Sequence, residues 1–379
     1  MSATVLAVGA WLKNAACLVL DGRAHWSPVH GDLSDPAACD ALERSVQALA
    51  RQAEAAGAPV QAIAHDLHPD FFSTQLAIAT ADALGVPAIG VQHHHAHLAA
   101  VIAEHAIDGP VVGLALDGVG LGTDGTPWGG ELLWLEGAQW QRLGHLQPLA
   151  LPGGDRAARE PWRMAASALH ALDRADEIVP RFAPVVGEAV AAGVRQMLDK
   201  RLNCPLTSSA GRWFDAAAGA LGLCHHQQDE AQAAIALEQA ATRAISALPD
   251  LPPLAGAVRH DDGRIDLRAV LAQLFDAPDA DTGAAGFHLA LADALAEALI
   301  TAARGRGART AALGGGCFFN RILRERTVQR LQAAGLQVFQ TGDRGCGDAG
   351  LAIGQAWVAA QQLQTPRQEP HVEETVPCA

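Results

Sequence analysis

Four histidines stand among five consecutive residues in the segment QHHHAHLAAVIAEH, which begins at Gln92. His93 and His97 are four residues apart, so on a helix they lie on one face, where two imidazoles can reach one metal ion. His94 and His95 point to other sides of the same helix. A solvated polar helix end is the plainer explanation, but the density of histidine favours a metal site. Imidazole and carboxylate ligands suit zinc and iron alike, so the identity of the metal stays open.

Two aspartates are candidates to complete this site, because a first-row metal usually has more than two protein ligands. Asp117 follows the apolar run VVGLAL, and Asp348 stands in the segment GCGDAGLAIG. Both lie among glycines, which permit close approach of a ligand to the backbone. A plain loop aspartate is an equally good explanation for either one alone. Asp124 is a weaker candidate, because a DG pair is commonly only a turn.

Glycine-rich segments predict a second kind of site, for an anion or a nucleotide. The motif LDGVGLGTDG, with Gly118 and Gly120, resembles a phosphate loop, but it lacks both the GK[ST] of a P-loop and the helix that follows a dinucleotide loop. Three consecutive glycines at 314–316 can direct backbone N–H groups at an adenosine or a phosphate. Asn320 offers an amide for the sugar or the base. The alternative is a tight strand–helix turn that binds nothing.

Nucleophilic catalysis has weaker support, and no residue is assigned as a catalytic acid, base or nucleophile. Cys317 and Cys346 adjoin the glycine turns, but no histidine is near them in the sequence, which favours structural roles. The lack of GxSxG argues against a Ser-His-Asp hydrolase, so Ser208 and Ser209 are interpreted as a polar turn. Three arginines in GGDRAAREPWRMA either direct guanidinium groups at an anion or form a solvated face; they are Arg156, Arg159 and Arg163.

The elements that must position these residues alternate between strands and helices. Apolar runs at 5–8 and 15–20 predict a hairpin, and helical spacing over 36–56 predicts a helix with Asp35 as its N-cap. Residues 108–135 predict a strand, a glycine-rich turn and a strand, 155–245 are mostly helical, and 247–266 predict a loop. Further strands are expected at 60–64, 88–91, 310–313 and 336–340, and helices at 72–84, 267–276, 284–304, from Asn320, and at 351–363. This alternation predicts an α/β fold, and glycine turns at three strand ends suit a two-lobed nucleotide cleft.

The composition excludes several classes of protein. Half of the 379 residues are apolar, and the formal net charge of -14 opposes non-specific binding to nucleic acid or to an anionic membrane. Seven scattered cysteines without a CxxC pair favour a reducing compartment over a disulfide scaffold or a zinc ribbon. The N-terminus lacks a signal-peptide core and any run of ~20 apolar residues. We therefore expect a soluble cytoplasmic protein with no nucleic-acid or membrane partner.

Nine segments, taken in order, resemble the C-terminal carbamoyltransferase domain of the HypF family of hydrogenase maturation factors, from about Val5 to Gln361. They are VGAWLKN, SPVHGDL, AHDLHPDFFSTQLA, VQHHHAHLAAV, ALDGVGLGTDGTPWGGELL, LPGGDRAAREPWRMA, PLTSSAGRWFDAAAGALGL, GGGCFFNRIL and GDAGLAIGQA. A more distant likeness is to the tRNA threonylcarbamoyladenosine transferases and to antibiotic O-carbamoyltransferases, which share the HxxxH site. The segments HDLHPD and TSSAGR favour the HypF family.

The resemblance implies a two-lobed α/β fold of the ASKHA class, which includes actin, hexokinase and Hsp70, with a nucleotide cleft between the lobes. Residues 1–108 would form the first lobe, with 346–364 returning to it, and 109–345 the second, while 365–379 are expected to be a disordered tail. The metal motifs fall on His93, His97, Asp117 and Asp348. The nucleotide motifs fall on Gly211, Asp215, Gly314, Gly315, Gly316 and Asn320, beside Gly118 and Gly120.

The implied activity is transfer of a carbamoyl group from carbamoyl-adenylate, made from carbamoyl phosphate and ATP, to the C-terminal cysteine of HypE. That thiocarboxamide becomes the cyanide ligand of nickel–iron hydrogenase. A divalent metal, zinc or iron, would polarise the adenylate, with magnesium as a further candidate ion. Acylphosphatase-like, zinc-finger and YrdC-like domains precede this domain in the family, whereas only four residues precede Val5, so we expect the transfer half-reaction. The alternatives are a non-catalytic nucleotide-binding scaffold for HypE and a small-molecule O-carbamoyltransferase.

Overall fold

Two mixed β-sheets organise residues 3–342 and 344–364, the part of the chain that the computed structural model describes. The strands of the first sheet are β1 (Val5–Ala7), β2 (Cys17–Leu20), β3 (Arg23–Trp26), β4 (Ala62–Asp66) and β5 (Ala88–Val91). Their order is β3-β2-β1-β4-β5, with β1 to β3 antiparallel and β1, β4 and β5 parallel. The N-terminal hairpin is therefore confirmed. The tail predicted at 365–379, with Cys378, lies outside the described residues.

The second sheet repeats the arrangement of the first. Its strands are β6 (Val111–Leu121), β7 (Pro127–Glu136), β8 (Gln139–Leu146), β11 (Val258–Arg259), β12 (Arg264–Asp266), β13 (Thr310–Gly314) and β14 (Gln337–Gln340), while β9 (Leu149–Ala150) and β10 (Leu206–Thr207) pair separately. The five strands β8-β7-β6-β13-β14 have the same order and the same pattern of directions as β3-β2-β1-β4-β5. The fold is thus a duplicated α/β unit, although the sequence shows no repeat at the scale of 20 to 50 residues.

Three helices belong to the first half of the chain: α1 (Pro36–Ala55), α2 (Phe72–Leu84) and α3 (His93–His105). The Asp35 carboxylate accepts a hydrogen bond from Ala37 N at 2.9 Å, which confirms it as the N-cap of α1. Helix α1 buries its apolar stripe, including Leu42 and Val46, against the first sheet. Strand β4 ends at Asp66, two residues later than predicted, and this places a carboxylate at the edge of the sheet.

A helical insertion between β9 and β13 contains the largest buried cluster of the protein. Its helices are α4 (Asp155–Arg159), α5 (Pro161–Ala171), α6 (Ile178–Val186), α7 (Glu188–Lys200), α8 (Ala210–Ala220), α9 (Gln232–Ala247), α10 (Arg268–Phe275) and α11 (Ala280–Arg306). The loop predicted over 247–266 was partly wrong, because β11 and β12 lie within it; strands of two or three residues are too short to show a period of two. Helix α11 is long and apolar enough to cross a membrane, but 72% of that apolar window is buried, as in a core helix.

The last helices, α12 (Arg321–Ala333) and α13 (Leu351–Gln364), bring the end of the chain back to the first sheet. Ala352 and Ala356 of α13 pack in one cluster with Val5 of β1. Helix α13 also crosses α3 closely: a Cβ on Gly354 would lie 1.9 Å from the Ala96 carbonyl oxygen. Contact between α3 and α13 therefore joins the two sheets. The lobe boundaries at 108/109 and 345/346 stay predictions.

Candidate metal centre and adjoining cleft

Four side chains from three elements converge where α3 meets the second sheet. His93 and His97 lie in the first two turns of α3, Asp117 lies on β6, and Asp348 begins a short 3-10 turn, Asp348–Gly350, ahead of α13. One ligand atom of each lies within 4.8 Å of the others. The structure therefore brings together all four of the metal ligands predicted from the sequence.

The spacing of the donor atoms suits a bound cation. The Nε2 atoms of His93 and His97 are 3.2 Å apart, and Asp117 Oδ2 lies 3.2 Å from the first and 2.9 Å from the second. Asp348 Oδ1 lies 3.6 and 3.4 Å from the same two nitrogens. Two imidazole lone pairs this close, facing two carboxylates, need a proton or a cation between them. Two imidazole nitrogens and two carboxylate oxygens form a donor set that fits a first-row divalent metal.

The electrostatics of the cluster keep the carboxylates ionised. Burial by itself lowers the pKa of His93, but the carboxylates of Asp66, Asp117 and Asp348 outweigh it and raise that pKa well above its usual value. Burial would raise the pKa of Asp117, yet its contacts with the two histidines hold that pKa well below the ordinary range. The site is therefore built to hold positive charge among carboxylates.

Asp66 orients His93 and is absent from the ligands predicted from the sequence. Its Oδ2 accepts a hydrogen bond from His93 Nδ1 at 2.7 Å, and Oδ1 accepts one from His68 N at 3.1 Å. A carboxylate on Nδ1 fixes the tautomer and turns Nε2 towards the metal position. The available signal was an acidic residue close after a predicted strand, in the segment HDLHPD.

The other two histidines of the cluster are packing residues. Burial lowers the pKa of His94 well below its usual value and that of His95 to about 3, so both are neutral. Gln92 is the N-cap of α3: its side-chain oxygen accepts a hydrogen bond from His95 N, and its Nε2 lies 3.0 Å from His94 Nδ1. Since all four histidines are buried, the explanation as a solvated helix end is wrong.

The first half of the motif LDGVGLGTDG is a bulged strand, and the predicted glycine-rich turn between two strands lies in its second half. Gly118 and Gly120 lie within β6, where the pairing with β7 shifts between Leu116 and Gly120, and the turn itself covers 122–126. A β-bulge bends a strand without ending it, and local composition does not distinguish the two. A Cβ on Gly120 would lie 2.8 Å from the rings of His93 and His94. Gly120 therefore makes room for the histidines, and a role in binding nucleotide stays a prediction.

Ser209 ties α8 to the backbone of Asp117, a predicted metal ligand, and Ser208 ties the same segment to β7. Ser209 Oγ donates to the carbonyl oxygens of Asp117 and Gly118 at 3.1 and 2.5 Å, and it accepts from Arg212 N as the N-cap of α8. The neighbouring Ser208 Oγ donates to the carboxylate of Glu131 at 2.5 Å. The polar turn predicted at Ser208 and Ser209 thus links the start of α8 to β6 and β7.

Glu131 anchors this link from β7 and was not predicted from the sequence. Its side chain is fully buried, and it accepts hydrogen bonds from Gly129 N and Gly130 N. Arg142 Nε lies 2.7 Å from its other oxygen, so the buried carboxylate is paired as well as hydrogen-bonded. A lone acidic residue in an apolar strand, GGELLWL, was the available signal.

The predicted nucleotide residues of α8 lie beside the same link. A Cβ on Gly211 would approach Gly118 Cα at 3.1 Å, so these two glycines let the segments touch. Asp215 is buried, with Arg212 Nε 2.7 Å from Oδ2 and Gln227 Nε2 donating to Oδ1 at 3.0 Å. Burial raises the pKa of Asp215 to about 6. Its contact with a nucleotide stays a prediction.

The glycine turn at 314–316 packs against the metal cluster. A Cβ on Gly314 would lie 3.0 Å from the His97 carbonyl oxygen, and Gly315 has a φ of +96° with Leu116 O only 2.3 Å from a Cβ position. A Cβ on Gly316 would lie 3.2 Å from Asp117 Oδ1. Only glycine fits this close approach, which places the predicted nucleotide turn directly beside the predicted metal ligands.

Asn320 is engaged within the protein. Its Oδ1 accepts from Leu323 N as the N-cap of α12, and its Nδ2 lies 2.9 Å from His288 Nε2. Contact with a sugar or base would require Asn320 to give up one of these hydrogen bonds, and that contact stays a prediction.

The structural role expected for Cys317 and Cys346 agrees with their environment: burial raises the pKa of Cys317 well above its usual value and that of Cys346 to about 11.

Two of the three arginines considered for an anion are paired with one carboxylate. Arg156 Nε and Arg163 Nε lie 2.6 and 2.5 Å from the two oxygens of Glu160. Arg159 is exposed. The structure therefore does not bring the three guanidinium groups together on an anion.

Lys13 extends from the elbow between β1 and β2 towards the cleft. Its Nζ lies 2.9 Å from Glu230 Oε2, just ahead of α9, so an ion pair joins the two halves of the fold. Partial burial lowers the pKa of Lys13, but Glu230 and then the carboxylates of Asp348 and Asp117 raise it overall. The elbow is held by Gln355 of α13, whose amide accepts from Gly9 N at 2.9 Å.

A duplicated α/β unit with a buried histidine–aspartate cluster at the junction of its halves defines the class: a two-lobed protein of the ASKHA fold. Residues 1–104 match the family model of the HypF Kae1-like domain. Residues 113–355 match that of the carbamoyltransferase, Kae1-like domain, second subdomain. The chain belongs to the HypF family and is a HypF-type carbamoyltransferase.

Relatives of two lengths match the chain. It is 58% identical over 385 residues to a carbamoyltransferase HypF homolog of Cupriavidus necator, covering 100% of this chain and 97% of that protein. It is 47% identical over 388 residues to carbamoyltransferase HypF2 of the same organism, covering 95% of this chain and 47% of that protein. The chain thus spans nearly the whole of one relative and about half of the other.

Solved structures of HypF share the fold. Full-length HypF in a phosphate- and nucleotide-bound form superposes with a TM-score of 0.85 at 29% identity, covering 96% of this chain and 47% of that one. HypF of T. kodakarensis superposes with a TM-score of 0.83 at 30% identity, covering 96% of this chain and 48% of that one. The chain therefore corresponds to about half of these longer proteins.

Proposed function

We propose that the protein acts in the cytoplasm in hydrogenase maturation, where it transfers a carbamoyl group from carbamoyl-adenylate to the C-terminal cysteine of HypE. In this reaction the thiolate sulfur forms a bond to the carbamoyl carbon while the bond from that carbon to the AMP oxygen breaks. The observation that carries the proposal is the convergence of His93, His97, Asp117 and Asp348 within 4.8 Å. A zinc or iron ion held there would polarise an oxygen of the adenylate as a Lewis acid.

The chain's own residues supply the frame for the adenylate. Asp66 holds the His93 ring, and the Glu131–Ser208 bond holds the segment that contacts the backbone of Asp117. The glycine turn at 314–316 lies against Asp117, and the half-buried Gly316 would let phosphate oxygens approach the backbone without an intervening side chain, whereas the Gly315 N–H already donates to the Cys346 carbonyl oxygen at 2.8 Å. Binding of ATP is supported by the similar HypF structure in a nucleotide-bound form, and magnesium stays a further candidate ion.

The environment of the cysteines supports an external thiol as the acceptor. Cys317 and Cys346 adjoin the cleft, but burial raises the pKa of both, and a thiol is nucleophilic only as the thiolate. The six cysteines within the described part of the chain are free, so none is consumed in a disulfide. An acceptor that brings its own terminal cysteine fits this arrangement.

A reconstituted transfer assay tests the proposal directly. The protein, loaded with zinc or with iron, is mixed with purified HypE and synthetic carbamoyl-adenylate, and intact mass spectrometry follows HypE. We expect one added carbamoyl group, and none when the C-terminal cysteine of HypE is replaced by serine. No mass increase with any metal overturns the proposal in favour of a nucleotide-binding scaffold. Carbamoylation of a small hydroxyl compound in place of HypE would favour an O-carbamoyltransferase.

A further inference from the structure

Phe319 is an exposed aromatic side chain at the edge of the cleft. The sequence contains nine phenylalanines and eight tryptophans, and all of them lie in the described residues. Among these seventeen, only Phe319 belongs to the exposed class, with 57% of its surface accessible. Its neighbour Phe318 is fully buried, and Asn320 is buried on the other side. An exposed aromatic ring leaves apolar surface in contact with water, which a stacked ligand would cover.

Backbone of a glycine-rich loop lies against one part of this ring. A Cβ built on Gly345 would be 3.1 Å from Phe319 Cε1 and Cζ, and one on Gly347 would be 3.0 Å from Cε2. Gly345 also has a φ of +73°, which favours glycine. The loop therefore approaches the ring closely because these positions carry no side chain, and the remaining ring surface faces solvent.

The ring stands next to the metal cluster and the glycine turn. Phe319 ends the 3-10 turn Gly316–Phe319. Gly347 immediately precedes Asp348, and a Cβ on Gly347 would lie 4.0 Å from Gly316 Cα. A Cβ on Gly316 would in turn lie 3.2 Å from Asp117 Oδ1. Phosphate oxygens at the turn and a base on the ring would thus occupy adjoining parts of one ligand site.

We infer that Phe319 is a stacking platform for the purine base of the adenylate. The inference rests on the proposed function, since it assumes that an adenine nucleotide enters this cleft. A flat heterocycle matches a single exposed ring with glycine backbone beside it, whereas a protein anchor normally sits within a larger apolar patch. Stacking of a base on an aromatic side chain is sequence-tolerant and contributes measurably to affinity when tested by alanine substitution.

Isothermal titration of ATP and of inorganic tripolyphosphate into the full chain tests the platform. We expect Phe319→Ala to weaken ATP binding by about 5- to 100-fold and to leave tripolyphosphate binding unchanged, because only the base contacts the ring. Phe319→Trp should keep wild-type affinity. Val258→Ala, which truncates an exposed apolar residue on β11 at the far edge of the second sheet, is the matched control and should change neither affinity.

The outcomes separate this inference from the proposed function. Wild-type protein that binds no ATP contradicts the adenine-nucleotide site and with it the platform, whereas the carbamoyl-transfer assay decides the proposed function itself. If the wild-type protein and Phe319→Ala bind ATP equally tightly, only the platform is overturned. Equal loss of ATP and tripolyphosphate binding also overturns it, since the effect would then lie in the phosphate site. Unchanged ATP affinity together with weaker binding of HypE would overturn it and assign the ring to protein docking.

Discussion

Asp66 Oδ2 accepts a hydrogen bond from His93 Nδ1 at 2.7 Å, and both side chains are almost completely buried. The two residues come from β4 of the first sheet and from α3, so the bond couples that sheet to the metal cluster. Because the carboxylate fixes which imidazole nitrogen is free to bind a metal, it should contribute to the metal affinity of the predicted site without touching the ion.

Replacing Asp66 with asparagine should therefore weaken metal binding by about 10- to 100-fold. The neutral amide accepts a weaker hydrogen bond and permits the other orientation of the ring. Competition with a chromophoric chelator measures the affinity for zinc. Asp70→Asn, an exposed change in the same segment, is the control and should bind zinc like the wild type. Wild-type affinity in Asp66→Asn would contradict the orienting role.

Asp348→Asn should abolish stoichiometric metal binding, whereas Asp124→Asn should not affect it. Asp348 Oδ1 lies within 3.6 Å of both histidine nitrogens, while Asp124 accepts hydrogen bonds from Thr126 of its own turn and from Trp128 of β7. Both changes are nearly isosteric, so the fold should persist in each. Metal content by elemental analysis, with melting temperature as a check on folding, decides the point. Full metal content in Asp348→Asn would remove that residue from the site.

Asp215 should make stability depend on pH. Its pKa is about 6 in the folded protein against 3.8 as the reference value, so the folded state binds more protons between these two values. The free energy of unfolding should therefore fall, because of this group, as the pH rises from about 4 to 6, and the loss should be complete above pH 7.

Asp215→Asn removes the titrating group and should remove this slope. The difference in free energy of unfolding, wild type minus variant, should decrease by roughly 2–3 kcal/mol between pH 4 and pH 7. Urea denaturation at a series of pH values measures it. A difference that stays constant over this range would show that Asp215 is ionised throughout.

Gly354→Ala should disrupt the crossing of α3 and α13. A Cβ at this position would lie 1.9 Å from Ala96 O and 2.7 Å from Ala100 N, and backbone atoms can yield only if the helices separate. We expect a loss of about 3 kcal/mol or more in unfolding free energy, together with weaker metal binding, since His97 and Asp348 lie on the two sides of this crossing.

Gly193→Ala is the matched control for this change. Gly193 is an exposed glycine inside α7, and nothing lies within 4 Å of its Cβ position. Alanine there should stabilise the protein by about 0.5–1 kcal/mol, because it has the higher helix propensity. Thermal and urea denaturation of both variants gives the comparison. Equal stability of the two variants would contradict the close helix crossing.

The local pattern of residues determined much of this protein. The four-residue spacing of His93 and His97 is enough to place both imidazoles on one helix face, and Asp35 ahead of Pro36 is enough to start α1. Alternation of strands and helices is enough for the α/β class. These features follow from contacts between residues close in the chain, so a window of a few residues contains the information that specifies them.

Only the tertiary structure decided the partners of the site. Asp66 and His93 are 27 residues apart, and Glu131 and Ser208 are 77 apart, so no local period links either pair. The same holds for Asn320, whose amide is bonded to His288, and for Gly120, which makes room for two histidine rings. The duplicated sheet order is likewise invisible in the sequence, because strand pairing depends on which segments meet after the chain has closed loops of very different length. The four clustered side chains could be proposed as metal ligands because of their residue types, but what holds them in place could be found only where distant segments pack together.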